Sequence, residues 1–524
     1  MLPLRSLGVL ALFTGAALSH PQSSPAHVFT TTCQGKTYTY NELAGFGSIP
    51  SDARDKFGDT ISIGSSAAIT NWKKRSTGKN KQTYYTGTLY GLPDRGWNTQ
   101  GTQNTIPRVH TFDVTFTPPT TSRSNPSPLP PNLLFKYKST ILLTSPRGEP
   151  LTGLDPDSII TLPGFPPLPA STYPGDGFGG PGPGGQQIAI DAEGLVLNSD
   201  GTFWVSDEYG PYIYLFSPTG KLLDAIAPPD ALLPLRNGTL SFSSDNPPIF
   251  DQAKRPNPTN PSQGRSNNQG FEGLTASPDG KELWVMLQSA GRLEGGQNAE
   301  TRRHTRLLRY DISKGKGKAQ KKVKYSGEWV VPLPTFTDGQ GRTRVAAQSE
   351  IHYVSEKQLL VLPRDSGVGA CTDSPTSVYR HVDVVDIGRA TDVKGKKYDA
   401  FNASIASAED GVLKPEITPA TVCPWIDFNI NAQLNKFGLR NGPPALPAKS
   451  LLNEKWESLV LVPVEDGKKD EYFLIAISDN DFITQNGFIN NGNIPYKDAS
   501  GCSLDQQALV FRVTLPKGSK PLVG

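Results

Sequence analysis

The sequence predicts an all-β fold made of many short antiparallel strands. Short apolar runs rich in Val, Ile, Leu, Tyr and Trp lie between Asp-Gly, Pro-Asp-Gly and Pro-Thr-Gly turns, which is the pattern of β-hairpins. Long amphipathic helical windows are scarce, and the 524 residues include 52 glycines and 47 prolines. A second observation is repetition, because DAEGLVLNSDGTFWVSDEYG (191–210) recurs as FEGLTASPDGKELWVMLQSA (271–290). A repeated β unit is typical of a propeller.

Two weaker copies of the unit follow, SEIHYVSEKQLLVLPRDSG (349–367) and WESLVLVPVEDGKKDEYFLIAISDND (456–481). An earlier fragment, TYYTGTLYGLPDRGWN, fits as a first unit that lacks the glutamate. The glutamates near the start of the four copies are 79, 78 and 107 residues apart: Glu193, Glu272, Glu350 and Glu457. A four-stranded blade needs about 40 to 50 residues, so each unit is one blade with long loop insertions. We therefore expect a single β-propeller of six blades, with five or seven as the alternatives.

The chain begins with the pattern of a secretory signal peptide. Residues 1–19 contain one positive charge, Arg5, then an apolar run and a small pair, Ala17 and Ser19. A membrane anchor would need about 18 to 20 apolar residues, and this run is shorter. We expect a secreted, extracellular protein.

The rest of the chain is interpreted as one domain. Residues 20–56 form an N-terminal segment that could complete the last blade, residues 57–515 form the propeller, and residues 516–524 form a C-terminal tail. The Pro/Gly-rich stretches 117–131 and 163–185 interrupt the pattern. We interpret them as insertions because the repeated units continue beyond them.

Four cysteines in a secreted chain favour two disulfides. Three pairings are open, and the expected one joins Cys371 to Cys423 and Cys33 to Cys502. The sequons at Asn237 and Asn402 predict glycans on surface loops.

The net charge of +3 gives no reason to expect a nucleic-acid or membrane partner. The lysine-rich stretch 313–325 is interrupted by glycines and has no interleaved aromatic residues, so it is interpreted as a solvated loop. A monomer that acts on a small-molecule ester is expected.

The repeated glutamates predict a cation site. Equivalent positions in successive blades face the same axis, and carboxylates brought together there repel one another unless a cation, a proton or an arginine lies between them. Ca²⁺ suits a ring of carboxylates better than zinc does. The alternative is that the acidic residues hold turns. The predicted metal ligands are Glu193, Glu272, Glu350, Glu457 and Asp365.

A second acidic group follows the second strand of a unit. Its members are candidate general bases that would accept a proton from water: Asp207, Glu208, Asp479 and Asp481. Another set is predicted to bind an anionic substrate: Arg95, Arg364, Asp94 and Gln288. The two arginines could equally be internal salt-bridge partners of the glutamates.

These motifs together resemble the secreted phytase-like family, to which an esterase-like activity is assigned. The resemblance rests on GFEGLTASPDGKELWVMLQS, on D-x-EGL with VSDEYGP, on SEI with RDSG, and on SDND, and it spans residues 57–515. It implies a β-propeller and a hydrolytic role on phosphate or other esters. The third unit departs from the pattern, with Pro363 where an acidic residue is expected.

Other hydrolase chemistries lack their motifs in this sequence. No G-x-S-x-G elbow and no H-E-x-x-H pair occurs. Two hypotheses follow. The first is a metal-dependent hydrolase with its site on the propeller axis. The second is a non-catalytic propeller that binds a ligand or carbohydrate and holds a structural cation in its channel.

Overall fold

The computed structural model describes residues 27–78, 82–97, 100–119, 128–313, 323–372, 374–442 and 450–524. Helices in these residues are short: α1 (Lys396–Asp399), α2 (Asn431–Leu434) and the 3₁₀ segments Asp230–Leu232, Arg292–Glu294 and Asn435–Phe437. None of these helices is long and apolar enough to cross a membrane. The all-β prediction is confirmed. The predicted signal peptide and most of the lysine-rich stretch lie outside the described residues.

The first half of the chain forms a hairpin, two four-stranded sheets and two smaller ladders. The hairpin is β1 (Phe29–Cys33) and β2 (Lys36–Ile49). Sheet I contains β3 (Ser66–Thr77), β4 (Gln82–Leu92), β5 (Arg108–Phe116) and β6 (Leu133–Leu142). A three-stranded ladder follows, with β7 (Ser158–Ile160), β8 (Leu168–Tyr173) and β9 (Gly185–Ile188). Sheet II contains β10 (Ala192–Leu197), β11 (Phe203–Asp207), β12 (Ile213–Phe216) and β13 (Leu222–Ile226). A small pair is β14 (Leu235–Arg236) with β15 (Thr239–Leu240).

The second half adds three larger sheets. Sheet III contains β16 (Phe271–Ala276), β17 (Glu282–Leu287), β18 (His304–Asp311) and β19 (Lys324–Pro332). After the hairpin β20 (Thr335–Thr337) and β21 (Thr343–Val345), sheet IV contains β22 (Ala347–Ser355), β23 (Gln358–Arg364), β24 (His381–Asp386) and β25 (Thr421–Asp427). The last strands are β26 (Trp456–Pro463), β27 (Glu471–Ser478), β28 (Gly487–Ile489), β29 (Ile494–Tyr496) and β30 (Gln506–Thr514). Sheet V has the order β26, β27, β30, β2, β1.

One edge strand from each of the five sheets contacts the edge strand of the next sheet, and these contacts form a cycle. In chain order β3 contacts β10, β10 contacts β16, β16 contacts β22, and β22 contacts β26. The strand β26 in turn contacts β3, so these five inner strands form a closed ring. Strand β2 pairs with β30, which places the first and last long strands of the described chain in sheet V.

Hydrophobic clusters fill the space between each sheet and the next. Strand β11 shows how one strand serves two of them. Phe203 and Val205 belong to the cluster between sheets I and II, whereas Trp204 belongs to the cluster between sheets II and III. Successive side chains of a strand point to opposite faces, and both faces are buried here. This is why the sequences of these strands are nearly continuous apolar runs.

The disulfides join Cys33 to Cys423 and Cys371 to Cys502, each with a Cα–Cα distance of 5.8 Å. The predicted pairing was therefore wrong. Cys33 ends β1, the outer strand of sheet V, and β1 lies against β25, which carries Cys423. These two outer strands belong to different sheets and become neighbours only when the ring closes. The spacing of the cysteines in the sequence does not reveal this.

A buried ion triad links sheet III to the segment between β24 and β25, which contains α1. Arg306 is 0% exposed, and its Nη1 lies 3.1 Å from Glu328, while Nη2 pairs with Glu294 and Nη1 also donates to the carbonyl of Tyr398 at 3.1 Å. Because Arg306→Met would leave two buried carboxylates without their cation, we expect a loss of about 3 to 5 kcal/mol in the free energy of unfolding, measured by urea denaturation. Arg342→Met is the control, since its solvent-exposed pair with Asp338 should contribute much less to the free energy of unfolding. Equal effects of the two variants would contradict a structural triad.

Candidate active site

Three of the repeated glutamates lie in β-bulges of the inner strands. The register shifts between Ala192 and Leu195 in β10, between Phe271 and Leu274 in β16, and between Trp456 and Ser458 in β26. The residues inside these bulges include Glu193, Glu272 and Glu457. A bulge re-aims the side chain of the extra residue. All three glutamates line one cavity of about 620 Å³.

The glycine of the E-G-L motif is explained by the closeness of the inner strands. A Cβ atom on Gly194 would lie 2.4 Å from the Cβ of Leu274, and one on Gly273 would lie 2.5 Å from the backbone N of Ile351. Any side chain at these positions would separate neighbouring inner strands. The glutamate of the motif therefore supplies a carboxylate to the cavity, and the glycine lets neighbouring inner strands approach each other closely.

Loops at one end of all five sheets complete the cavity. Sheet I supplies Asp94 and Arg95 after β4, and sheet II supplies Glu208 after β11. The remaining sheets contribute Gln288, Arg364, Lys455 and Asp481. Most of these side chains are charged, and their pairing decides what the cavity can bind.

Three buried carboxylates form what we call the acidic cluster: Asp94, Asp191 and Glu193. Each offers an oxygen within 4.8 Å of the others. Asp191 is also paired with Arg95, whose Nε lies 2.8 Å from Oδ2. Glu272 adjoins the cluster, and its charge acts on the carboxyl group of Glu193. Sequence reasoning missed Asp191, although it stands two residues before Glu193 in a D-x-E spacing.

Glu208 stands beside this cluster and has no hydrogen-bond partner for either carboxylate oxygen within the described residues. Its side chain lines the cavity and the residue is 0% exposed. A buried carboxylate without a partner is costly, so such groups hold a proton or face a cation. The oxygen-only donor set with an orphaned carboxylate at its edge therefore fits a hard divalent cation.

Burial raises the pKa of both Glu193 and Glu208 well above the usual range, and the neighbouring Glu272 and Asp191 raise it further. Burial, together with the charge of Glu457, raises the pKa of Glu272 to about 8. Without a cation, these carboxyl groups hold their protons to higher pH than an exposed glutamate does.

The stability of the chelated protein should therefore fall as the pH rises. A carboxyl whose pKa is raised in the folded state stabilises the fold below its unfolded pKa, and that contribution is lost as the pH rises through the folded pKa. For Glu272 the window runs from the ordinary value of 4.5 to about 8. We expect Glu272→Gln to reduce the decline of Tm across this window, measured by scanning fluorimetry with chelator present. Exposed Glu356→Gln is the control, and an identical pH profile for both variants would contradict the shifted pKa.

Lys455 lies in the middle of a second group of carboxylates. Its Nζ is 2.8 Å from Asp481, 2.9 Å from Asp479 and 3.2 Å from Asp94. We call these four residues the lysine cluster. Burial opposes the charged form of Lys455, but the carboxylates outweigh burial and raise its pKa well above its ordinary value. Sequence reasoning missed this lysine, although K-x-E at 455–457 repeats the spacing of D-x-E at 191–193.

The two predicted substrate-binding arginines are engaged with acids of the site. Arg95 pairs with Asp191, and Arg364 donates from Nη2 to Glu457 and from Nε to Ser349 at 3.0 Å. Internal salt bridges, the alternative left open by the sequence, are therefore present at both positions. Gln288 lines the cavity and donates to Glu272.

Glu350 does not face the cavity, so its predicted role as a metal ligand is corrected. Its Oε2 accepts a hydrogen bond from Ser66 at 2.6 Å, and its Oε1 accepts from the backbone N of Ile351 at 2.8 Å and of Leu274 at 3.2 Å. Glu350 thus ties three inner strands together. In this unit the bulged residue is Ser349, and Glu350 follows the bulge instead of lying inside it. Its carboxylate therefore bonds to the inner strands and not to a ligand in the cavity.

Two aspartates hold loops, which corrects their predicted roles as base and ligand. Asp207 accepts hydrogen bonds from the backbone N of Asp191, Tyr209 and Gly210, each at 2.9 Å. Asp365 accepts from the backbone N of Gly367 at 2.9 Å and of Tyr379 at 2.6 Å. Neither residue lines the cavity that holds the glutamates. Backbone amides saturate these carboxylates, which is the turn-holding alternative.

Asp479 shares this loop-holding role and also contacts Lys455. Its Oδ1 accepts from Ser62 at 2.7 Å and from the backbone N of Asn480 at 2.7 Å. Asp481 lines the cavity beside Lys455. Both residues therefore belong to the lysine cluster, and their carboxylates already share the ammonium of Lys455 as a counter-ion.

A family model described as phytase-like, esterase-like activity of phytase, matches residues 83–482. The chain belongs to the phytase-like family. The resemblance drawn from the motifs is confirmed, and the matched segment of this phytase-like protein contains every residue of the acidic and lysine clusters.

One relative is an uncharacterized secreted protein of Arthroderma benhamiae, 49% identical over 475 residues, which cover 87% of this chain and 90% of that protein. Among solved structures, a luciferin-regenerating enzyme matches with 11% identity and a TM-score of 0.23 over 88% of this chain and 98% of its own. A Bacteroides fragilis protein assigned as a 6-phosphogluconolactonase matches with 11% identity and a TM-score of 0.22 over 78% of this chain and 100% of its own. These two scores are too low to support a shared chemistry.

Proposed function

We propose that this phytase-like protein is a secreted, metal-dependent hydrolase of phosphate or other anionic esters. The observation that supports the proposal most strongly is Glu208, a buried carboxylate beside the acidic cluster that lines the cavity and has no hydrogen-bond partner among the described residues. The secreted relative and the two disulfides support the extracellular location. The sequons lie at exposed asparagines, Asn237 and Asn402, and glycosylation there stays a prediction.

The acidic cluster would hold one divalent cation, and Ca²⁺ suits its oxygen donors. When bound, such a cation polarises an ester or phosphoryl oxygen and lowers the pKa of water. The lysine cluster would hold no second cation, because the ammonium of Lys455 already lies among its carboxylates. Asp94 belongs to both groups and therefore joins the proposed cation site to Lys455.

Glu208 is the proposed general base. Neither oxygen of its carboxylate has a hydrogen-bond partner among the described residues, so these oxygens can accept a proton from water. Glu272 is held in place by Gln288, which donates a hydrogen bond to its carboxylate. Lys455 and Arg364 would offset the negative charge of a bound substrate, while Asp479 and Asp481 position Lys455.

Metal analysis combined with an ester panel tests the proposal. The purified full-length protein would be assayed against phosphate monoesters, phosphate diesters and carboxyl esters, with and without chelator. We expect one bound cation per chain and turnover of an anionic ester that chelator abolishes and Ca²⁺ restores. A protein that holds no divalent cation, or that turns over esters equally well in chelator, contradicts the proposal.

The second hypothesis, a ligand-binding propeller with a structural cation, is separated by the same experiment. Chelation would then lower Tm with no turnover to lose. Two aromatic side chains of the loops, those of Trp97 and Tyr209, offer little surface for a carbohydrate to stack on, because Trp97 is 3% exposed and Tyr209 is 0% exposed. A monomeric state and the absence of nucleic-acid and membrane partners stay predictions.

We also propose that sheets I to V are the blades of a five-bladed propeller. The closed ring of β3, β10, β16, β22 and β26 supports this count, as do the five hydrophobic clusters between successive sheets. The expected sixth blade has no four-stranded counterpart in the described residues. The ladder β7–β9 instead contributes Leu168 and Ile188 to the cluster between sheets I and II.

A further inference from the structure

A second cavity adjoins the first at Arg302. Its volume is about 400 Å³, and the hairpin of β20 and β21 forms one wall. Arg302, Ser366 and Gly367 line both cavities. The two spaces therefore meet at a guanidinium group that no motif in the sequence singled out.

Arg302 differs from the other arginines of the site because it has no acidic partner among the described residues. Its one hydrogen bond runs from Nη1 to Oε1 of Gln269 at 3.3 Å, and its Nε is buried without a partner. Arg95 and Arg364, by contrast, each pair with a carboxylate. Arg302 is partly exposed, but its buried Nε has no acceptor among the described residues, so the site favours a ligand that supplies one.

The charges around Arg302 do not neutralise it. Burial, followed by the guanidinium groups of Arg364 and Arg344, lowers the pKa of Arg302, and Glu300 offsets this effect in part. Glu300 is already paired with Arg344.

The two acids that line the second cavity, Asp338 and Asp365, are engaged as well. Asp338 lies 2.9 Å from Arg342 and 3.2 Å from Arg344. Asp365 is saturated by backbone amides. The junction of the two cavities therefore carries positive charge that the described acids leave uncompensated.

We propose that Arg302 is the binding residue of a subsite for a phosphate- or sulfate-type oxyanion at the junction of the two cavities. The assignment deepens the proposed function, on which it rests, by requiring an anionic group on the ligand. No described residue accepts a hydrogen bond from Nε or Nη2 of this guanidinium, and two parallel N–H groups bind two oxygens of an oxyanion. A neutral ligand would leave the partly buried guanidinium without a counter-charge.

A chain of hydrogen bonds links this subsite to the acidic residues of the first cavity. Gln269 accepts from Arg302 and donates to Gln288, and Gln288 donates to Glu272. Ser289 donates to the same oxygen of Gln269 at 2.5 Å. Arg302 is thereby held at a fixed place relative to Glu272. A ligand would place its anion on Arg302 and its reacting group toward the acidic cluster.

Binding of inorganic phosphate to the chelated full-length protein tests the assignment by calorimetry. Chelation removes any bound cation, so the anion must be bound by the chain itself. We expect phosphate to bind the parent protein and to raise its Tm, and we expect Arg302→Gln to weaken binding about tenfold or more, since the charge-assisted contacts are lost. Arg303→Gln is the matched control, because Arg303 is exposed and lines neither cavity.

A stability measurement separates binding from a structural role. Because Arg302 has no ion pair to lose, the Tm of phosphate-free Arg302→Gln should equal or exceed that of the parent protein, whereas a structural arginine would lower it. Equal phosphate affinity in the parent and in Arg302→Gln overturns the assignment, as does absence of phosphate binding to the chelated parent protein. Failure of the proposed hydrolase would appear separately, as absence of bound cation or of chelator-sensitive turnover with phosphate binding intact.

Discussion

Glu208→Gln should lower turnover of an anionic ester by about 10²- to 10⁴-fold while the bound cation is retained, because a general base is lost and the acidic cluster is untouched. Glu208 makes no hydrogen bond to a described residue, so the variant has no hydrogen bond of that kind to lose. Its Tm in chelator should not fall, since a neutral amide replaces a buried carboxyl group. Turnover and metal content would be measured on the same preparation.

Glu193→Gln is the matched variant for this test. Glu193 belongs to the acidic cluster, so its amide variant should lose both the cation and turnover. If Glu208→Gln also loses the cation, Glu208 is a ligand and its assignment as base is wrong. Undiminished turnover in Glu208→Gln would remove the base from the proposal altogether.

Lys455→Met should raise the number of divalent cations bound per chain from one to two. The ammonium now lies within 3.2 Å of three carboxylates, and Asp94, Asp479 and Asp481 have oxygens within 4.8 Å of one another. Removing the lysine leaves three acids with the spacing that a divalent cation accepts. Elemental analysis after equilibration with Ca²⁺ measures the change.

The stability of the same variant gives a second measurement. In chelator, Lys455→Met should lose about 3 to 5 kcal/mol in the free energy of unfolding, because buried charges are left without a counter-ion. Ca²⁺ should restore most of this loss. Lys455→Arg keeps the positive charge and should still bind one cation, and Lys468→Met, whose side chain is 67% exposed, should change neither quantity. An unchanged metal content in Lys455→Met would show that the lysine does not take the place of a cation.

The repeated motif made much of the site predictable from the sequence. Residues at the same place in similar units occupy similar places in space, and Glu193, Glu272 and Glu457 indeed line one cavity. The Asp-Gly pairs were interpreted as turns, and the structure confirms it. Asp200 accepts a hydrogen bond from the backbone N of Thr202, and Asp279 accepts one from that of Lys281.

Residues outside the motif could not be found in this way. Lys455 and Asp191 act through carboxylates or cations contributed by distant sheets, and Arg302 is distinguished only by the absence of an ion pair with a described acid. Glu350 has the same motif position as the other glutamates. Its orientation is decided by Ser66, a residue 284 positions away on another inner strand.

By itself, the sequence determined the β class, the turns, the family and the repeated acidic positions, since these depend on local patterns of polarity, turn chemistry and recurrence. The tertiary structure alone decided which cysteines pair, which acids are saturated by backbone amides and which cations lie among the carboxylates. These outcomes depend on closing the ring of inner strands, which brings together side chains from distant parts of the chain. Burial then makes each unpaired charge costly, and that cost separates a residue that holds a loop from one that faces a ligand.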